Sequence, residues 1–313
     1  MENNNSIETI YAYVDNVASI ISEQTKVPYL KGVSEAIGFL MEYRLTMPVN
    51  LQSEKAIESA RHSLDAIDFS KETVRKGIQI ALLKGFKKLG ITNAMMTPDS
   101  IGMFMAYIIE KLYDGKKPLK VLDPLSGTGN LLATLVNHYD ERLDIKGIEI
   151  DQILTDLSQN LLDALDCKAS IINQDTLSYQ SEPLDLIVTD FPVQSIDRKK
   201  AYLPYQIILH HMNHVKPGGY FVALIENNFF EQNEADTFKE RLMEDAHLHG
   251  LLKLDKSLFT NHHKSILILK RKTHEEETED TFLVVDLPPF SDETAFNRSL
   301  DKIEDWFKNR KVD

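Results

Sequence analysis

Apolar positions in the first 95 or so residues recur at helical spacing. Ile7, Ile10, Tyr11, Val14, Val17, Ala18 and Ile21 follow an i, i+3, i+4, i+7 pattern, which predicts a helical segment over 1–95. The character changes at Thr97. Thr97-Pro98-Asp99 supplies an N-cap, a proline at N1 and an acid in the first turn of a helix expected to reach Tyr113, where Asp114-Gly115 stops it. From Leu119, short apolar runs near 119–123, 145–150, 169–173, 184–190 and 219–225 alternate with amphipathic stretches, the signature of βαβ units on a parallel sheet. Beyond a helix near 233–245, runs at 248–254 and 264–270 are close enough to pair as an antiparallel hairpin. A last strand is predicted at 281–285, after the solvated acidic connector from His274 to Asp280. The chain thus divides into a helical domain (1–95), an α/β domain (96–272) and an acidic extension with a short strand and helix (273–313).

Composition narrows this picture. The 313 residues carry 35 Lys plus Arg against 48 Asp plus Glu, a formal charge of −13, which argues against a protein held together by nucleic acid. The apolar fraction of 42% is enough for an ordinary core. The single cysteine, Cys167, can form no internal disulfide and fits a reducing compartment. The first residues lack the basic and apolar regions of a signal peptide, and no apolar run is long enough to span a membrane, so a cytoplasmic location is expected.

The segment with most chemistry is Lys120-Val121-Leu122-Asp123-Pro124-Leu125-Ser126-Gly127-Thr128-Gly129-Asn130. A strand ends at Asp123, a loop with two glycines follows, and a helix begins near Asn130. Glycines admit a ligand close to the backbone, and the helix N-terminus offers unpaired N–H groups. A GxG loop alone is shared by many nucleotide folds. Here, however, an acid precedes the glycines, where it would repel a diphosphate and welcome an ammonium, and Leu132 stands where a dinucleotide fingerprint has its third glycine. The ligand therefore reads as a nucleoside carrying an amino acid, the form of S-adenosylmethionine. Glu149, ending the second strand, can accept both ribose hydroxyls, and Asp175, closing the third, can accept from an adenine amino group. Each acid alone reads more readily as a solvated or capping residue; the constellation at successive strand ends points to a cofactor site.

Asp123-Pro124-Leu125-Ser126-Gly127-Thr128-Gly129-Asn130 resembles motif I of class I S-adenosylmethionine-dependent methyltransferases, in the form found in adenine-N6 DNA methyltransferases and the modification subunits of type I restriction systems. Met96-Thr97-Pro98-Asp99-Ser100-Ile101-Gly102-Met103-Phe104-Met105 is similar to their motif X, which contacts the methionine end of the cofactor. The resemblance covers about 95–270. It implies a Rossmann-like methyltransferase fold, with a mostly parallel seven-stranded sheet whose final strand is antiparallel, behind the N-terminal helical domain. The cofactor residues on this reading are Thr97, Pro98, Asp123, Pro124, Ser126, Gly127, Thr128, Gly129, Asn130, Glu149, Ile150, Asp175, Thr176 and Asp190.

The strand 184–189 ends in Asp190-Phe191-Pro192-Val193. Amino-directed members of the family carry Asn, Asp or Ser here, then Pro-Pro and an aromatic residue. The acid and a backbone carbonyl accept hydrogen bonds from the target amine, and the aromatic stacks on the flipped base. Asp190, Phe191 and Pro192 are the candidate catalytic residues. Val193 lacks a π-face, so Phe191, Tyr202 or Tyr205 would have to supply the platform. A plainer reading leaves Asp190 as the end of a buried strand. Leu287-Pro288-Pro289-Phe290 offers no acceptor side chain before its prolines and reads as a turn, as does Lys216-Pro217-Gly218-Gly219. His210, His211 and His214 cluster on a helix, where His210 and His214 share a face, but no HExxH motif or third ligand accompanies them, so no metal is expected.

A conventional DNA-recognition domain is not expected after Lys270: Arg271 to Asp313 carries 7 basic against 12 acidic side chains. Two basic segments could meet phosphate, residues 71–90 (Lys71, Arg75, Lys76, Lys84, Lys87 and Lys88 against Glu72) and Arg198-Lys199-Lys200, although a charge run is commonly only a solvated face. The expectation is an N-directed, adenine-N6 DNA methyltransferase-like enzyme. Its rivals are an RNA or protein methyltransferase, a cofactor-binding module without catalysis and a dinucleotide oxidoreductase.

Overall fold

The structure, a computed structural model, describes residues 4–42, 45–65, 67–90, 96–114, 118–139, 143–193, 201–259, 262–274 and 281–310. Helices α1 (Asn4–Thr25), α2 (Tyr29–Glu42), α3 (Leu51–His62), α4 (Lys71–Lys88) and α5 (Asp99–Tyr113) precede the first strand. Then come β1 (Leu119–Asp123), α6 (Asn130–Tyr139), β2 (Leu143–Glu149), α7 (Gln152–Ala164), β3 (Ala169–Asn173), β4 (Leu184–Asp190), α8 (Leu203–Met212) and β5 (Val215–Glu226). The chain closes with α9 (Ala235–Asp245), β6 (Ala246–Lys253), β7 (Lys264–Arg271), β8 (Leu283–Asp286) and α10 (Glu293–Arg310). Among the described residues no helix is long and apolar enough to cross a membrane.

The sheet runs β3-β2-β1-β4-β5-β7-β6-β8. β1, β4 and β5 are parallel neighbours, as are β2 and β3, while β7 is antiparallel to both β5 and β6. The expected mostly parallel sheet with its antiparallel strand is joined by the strand expected near 281–285. β7 inserts between β5 and β6, and β8 adds an eighth strand parallel to β6. Burial explains both. β7 is buried from Lys264 to Leu269 without alternation, as an interior strand must be, whereas β8 alternates buried and exposed positions, as an edge strand does.

Two local expectations are revised and a third, the stop of the helix at Asp114, holds. The turn expected at Lys216-Pro217-Gly218-Gly219 lies within β5, where five steps from Val215 to Tyr220 answer two from Leu184 to Leu186, and Gly218 takes φ +76° in the irregularity. Pro98, not Thr97, is the N-cap of α5, its carbonyl accepting from Ile101 and Gly102 N–H. Asp114 itself takes the left-handed position at the end of that helix.

The chain packs as two compact units, one of residues 1–97, 126–141 and 145–173, the other of 98–125, 142–144 and 174–313. In the first, α1 buries Ile10, Tyr13, Val14, Val17, Ala18 and Ile21, with Tyr13 rather than Tyr11 turned to the core. Its neighbours approach closely: a Cβ on Gly32 of α2 would lie 2.5 Å from the Ala18 carbonyl oxygen, and one on Gly77 of α4 2.5 Å from Ile10 Cγ2. Glycine inside a helix costs about 1 kcal/mol against alanine, and close helix contact offsets that cost.

In the second unit the Pro-Pro-Phe segment is a packing element, as expected of a turn. Leu287 N–H donates to Lys253 O (2.8 Å), and Phe290 packs on Phe104 and Phe296, with ring centroids 6.0 and 4.9 Å away. On α8, His211 is fully buried with Nε2 2.8 Å from Thr176 Oγ1. Burial, followed by the neighbouring His210 and His214, pushes its imidazole down to about 3.

Gly32→Ala is expected to destabilise the protein by about 1–3 kcal/mol despite alanine's better helix propensity, read as a lower urea midpoint with unchanged slope. The pH dependence has a definite sign. Folded His211 refuses a proton that the unfolded chain takes up below about 6.5, so its contribution is complete above that pH and is lost as pH falls toward 3. Between pH 6.5 and 5 this amounts to about 2 kcal/mol at roughly 1.4 kcal/mol per unit, and in His211→Gln the decline measured by urea unfolding should flatten.

Candidate active site

In the first unit, the glycine loop is folded onto the end of β2. Ser126 N–H donates to Ile148 O (2.9 Å) and Gly129 N–H to Ser126 O (2.8 Å). Glu149 then closes the arrangement: Oε2 accepts from Gly127 N–H (3.0 Å) and Oε1 from Asp151 N–H (2.8 Å). Both loop glycines are left-handed, Gly127 at φ 53° and Gly129 at φ 77°, and a Cβ on Gly129 would also press into Ser158. Asn173 donates through Nδ2 to the carbonyls of Glu149 (3.1 Å) and Ile150 (3.0 Å), which fixes the strand end from its neighbour. Ile150 itself is 73% exposed, an apolar face presented beside the carboxylate.

Asn130, at the head of α6, is buried and tied on both sides of its amide. Nδ2 donates to Thr97 O (2.8 Å), and Oδ1 accepts from Arg75 Nη1 (3.2 Å). Arg75 is only 2% exposed and is gripped by Glu72 through two 2.7 Å bonds. Burial pushes the Glu72 carboxyl up, but the bonds and charge of Arg75, with help from Asn137 and Lys76, outweigh it and hold the group below the usual carboxylate range.

This changes the standing of the basic segment 71–90. Arg75 is a buried structural cation, Lys84 is paired with Asp15 (2.5 Å), and Lys88 lies 3.9 Å from the centre of the Tyr29 ring, so much of its charge is already satisfied inside the unit. Residues 198–200 lie outside the described residues.

In the second unit, Asp123 is 2% exposed, and its Oδ1 accepts from Leu125 N–H (3.0 Å) and Thr189 Oγ1–H (2.8 Å). Pro98 is exposed, whereas Pro124 is buried. Asp175 is exposed and caps the turn at Thr176–Ser178 through Leu177 N–H (3.0 Å). At the end of β4, Asp190 Oδ1 accepts from Lys264 Nζ at 2.5 Å, the same ammonium donates to Phe191 O at 2.8 Å, and Phe191 N–H donates to Leu224 O at 3.0 Å. Lys264 is 4% exposed.

The Phe191 ring, at 2% exposure, is core and provides no stacking face. Tyr205 is likewise buried, stacked on Phe238 at 4.1 Å, with its hydroxyl on Phe229 O. Of the three aromatic candidates only Tyr202 remains half-buried. It lines, with Leu177, Gln206, His210 and Arg241, a groove of about 440 Å³. One ring nitrogen from each of His210, His211 and His214 lies within 4.8 Å of the others, so His211 does join the pair as a third nitrogen, contrary to expectation; ring nitrogens of the three also meet Tyr179 O, Thr176 Oγ1 and Gln180 Oε1.

Sequence reasoning missed Lys264, Thr189 and Asn173. Thr189 and Lys264 carried one signal each: a hydroxyl directly after the apolar run Leu186-Ile187-Val188, and a charge immediately before the run 265–269.

Residues 8–86 match the family described as the YtxK N-terminal helical domain, and residues 87–313 match N-6 DNA Methylase. The uncharacterized protein YtxK of Bacillus subtilis (strain 168) is 30% identical over 325 residues, covering 97% of this chain and 98% of that protein. A crystal structure from Listeria monocytogenes, assigned to the class I S-adenosylmethionine-dependent methyltransferases, is 28% identical with a TM-score of 0.87, covering 97% of this chain and all of the other. The methyltransferase subunit of a type I restriction-modification system from Streptococcus thermophilus shares the fold at 16% identity, with a TM-score of 0.61 over 83% of this chain and 62% of its own. With the glycine loop, the acid ending β2 and the Asp190 turn on the same chain, these matches lead to one conclusion: the chain belongs to the N-6 DNA methylase family and is a class I S-adenosylmethionine-dependent methyltransferase.

Proposed function

We propose that the enzyme methylates an exocyclic amine of nucleic acid, with adenine N6 of DNA as the target, and that it works in the cytoplasm. The observation that carries this reading is the end of β4, where the Asp190 carboxylate and the Phe191 carbonyl are held side by side, each within 2.8 Å of one nitrogen. Two adjacent acceptors suit an amine bearing two N–H bonds. Accepting both turns the nitrogen lone pair away from the protein, toward an electrophile. The methylated nitrogen then releases one proton to solvent, so the carboxylate serves as an acceptor of hydrogen bonds rather than as an obligatory base.

The residues present fit S-adenosylmethionine by their chemistry. Gly127 and Gly129 leave no side chain over the loop that Ser126, Thr128 and Asn130 complete, and Glu149 offers a half-buried carboxylate of the kind that accepts a ribose diol. Exposed Ile150 suits one face of an adenine ring, and exposed Asp175, next to Thr176, suits its amino group. Thr97, Pro98, Asp123 and Pro124 are assigned to the methionine end, with Asp123 supplying negative charge for its ammonium. When bound, the cofactor supplies an electrophilic methyl group on a sulfonium that leaves as a neutral thioether.

Purified protein with tritiated cofactor, offered DNA, RNA and cellular protein in turn, is expected to label DNA; label in protein alone would overturn the adenine reading. Asp190→Ala should lower turnover by about 10²–10³-fold, the scale of one lost transition-state hydrogen-bonding group. Glu149→Ala should weaken calorimetric cofactor binding by about 10–100-fold, as expected for lost hydrogen bonds to a charged group.

A further inference from the structure

Lys264 is the first residue of β7 and pairs with Glu226 in the ladder, and its ammonium bonds both groups that the reading above assigns to the target amine. Its side chain is 5% exposed against 15% for Asp190, so the cation meets the pair from the protein interior and the carboxylate is the more accessible of the two. An ionised carboxylate and a carbonyl each carry more than one lone pair, so lysine and a target amine can bond these oxygens together.

We propose that Lys264 is a positioning residue that balances the charge of Asp190, so that the acceptor pair selects a neutral, weakly basic nucleobase amine over an alkylammonium. This rests on the reading above and deepens it.

The selection is electrostatic. A lone carboxylate at this position would draw in any cation, including the ammonium of a protein lysine, which is protonated near neutral pH and has no lone pair to attack with. With Lys264 bonded to it, the group is neutral overall, as an asparagine would be. It still offers directed acceptors to a neutral N–H donor, but a second ammonium meets the charge of the first. The lysine also fixes where the acceptors point, because one ammonium joins the side chain of Asp190 to the main chain of Phe191, whose N–H is fixed in turn on Leu224. An arginine could restore the charge and both bonds, whereas a methionine would fill the space and restore neither.

The test compares wild type, Lys264→Met, Lys264→Arg, Asp190→Asn and the double variant Asp190→Asn/Lys264→Met. Methyl transfer is measured to adenine-containing DNA and to a lysine-rich peptide, alongside calorimetric cofactor binding and melting temperature. Lys264→Met is expected to lose about 100-fold in kcat on DNA, with cofactor affinity retained and the peptide-to-DNA ratio raised, and Lys264→Arg to recover most of the loss. The double variant, a neutral acceptor without a cation, should recover at least about tenfold over Lys264→Met. Undiminished transfer by Lys264→Met would overturn the proposal, as would a wild type that prefers the peptide. So would a double variant whose melting temperature recovers but whose turnover does not, and that arm stands even if Lys264→Met alone fails to fold. A wild type silent on both substrates refutes the amine-acceptor reading itself. The pairing is then judged by melting temperatures: a double variant more stable than Lys264→Met supports it, and additive losses overturn it.

Discussion

A charge taken out of water must be met inside the protein, and this constraint organises both units. A guanidinium at 2% exposure is tolerable in the first because Glu72 takes two of its bonds and Asn130 another. The consequence reaches further than the pair. Asn130 heads the helix after the glycine loop, so a cation on α4 of the helical segment helps determine where that helix begins. In the second unit the ammonium of Lys264 plays the corresponding part, joining β7 to the last residue of β4 and to the carbonyl after it. In each unit an ion that would be costly if unpaired has become the fastener of a loop at a strand end.

Seen this way, the helical segment and the sheet contribute differently to one enzyme. Small residues such as Gly32 and Gly77 let α1, α2 and α4 pack closely, and from that packed segment Arg75 reaches Asn130. The strands contribute direction, since parallel β1, β4 and β5 each deliver a carboxyl end, and two of those ends carry Asp123 and Asp190.

Much of this was legible in the sequence because it is periodic or local. The apolar runs gave the parallel strands within a few residues, and the GxG loop with acids at 123, 149 and 175 gave the cofactor and family. What escaped depends on distant contacts. Residues 71–90 look like a solvated basic face until Arg75 turns inward to Glu72, and Lys264 looks like a strand-end lysine until the sheet order sets β7 beside β5. Phe191 reads as an aromatic candidate because sequence position does not say which way a ring points after the last strand residue; burial among core side chains decides it. The eighth strand was visible as an apolar run, but its place beside β6 followed only from the insertion of β7.

That eighth strand bears on solubility. Without it, β6 would present a full row of unpaired N–H and C=O groups at the sheet margin, a template on which another chain could extend the sheet. β8 covers the row from Gly250 to Lys253 and replaces it with a margin of four residues, with the charged side chains of Lys253 and Asp286 meeting at 3.9 Å where the pairing ends. A short margin that ends in charge is a poor template for strand addition, so the C-terminal segment keeps the sheet finite.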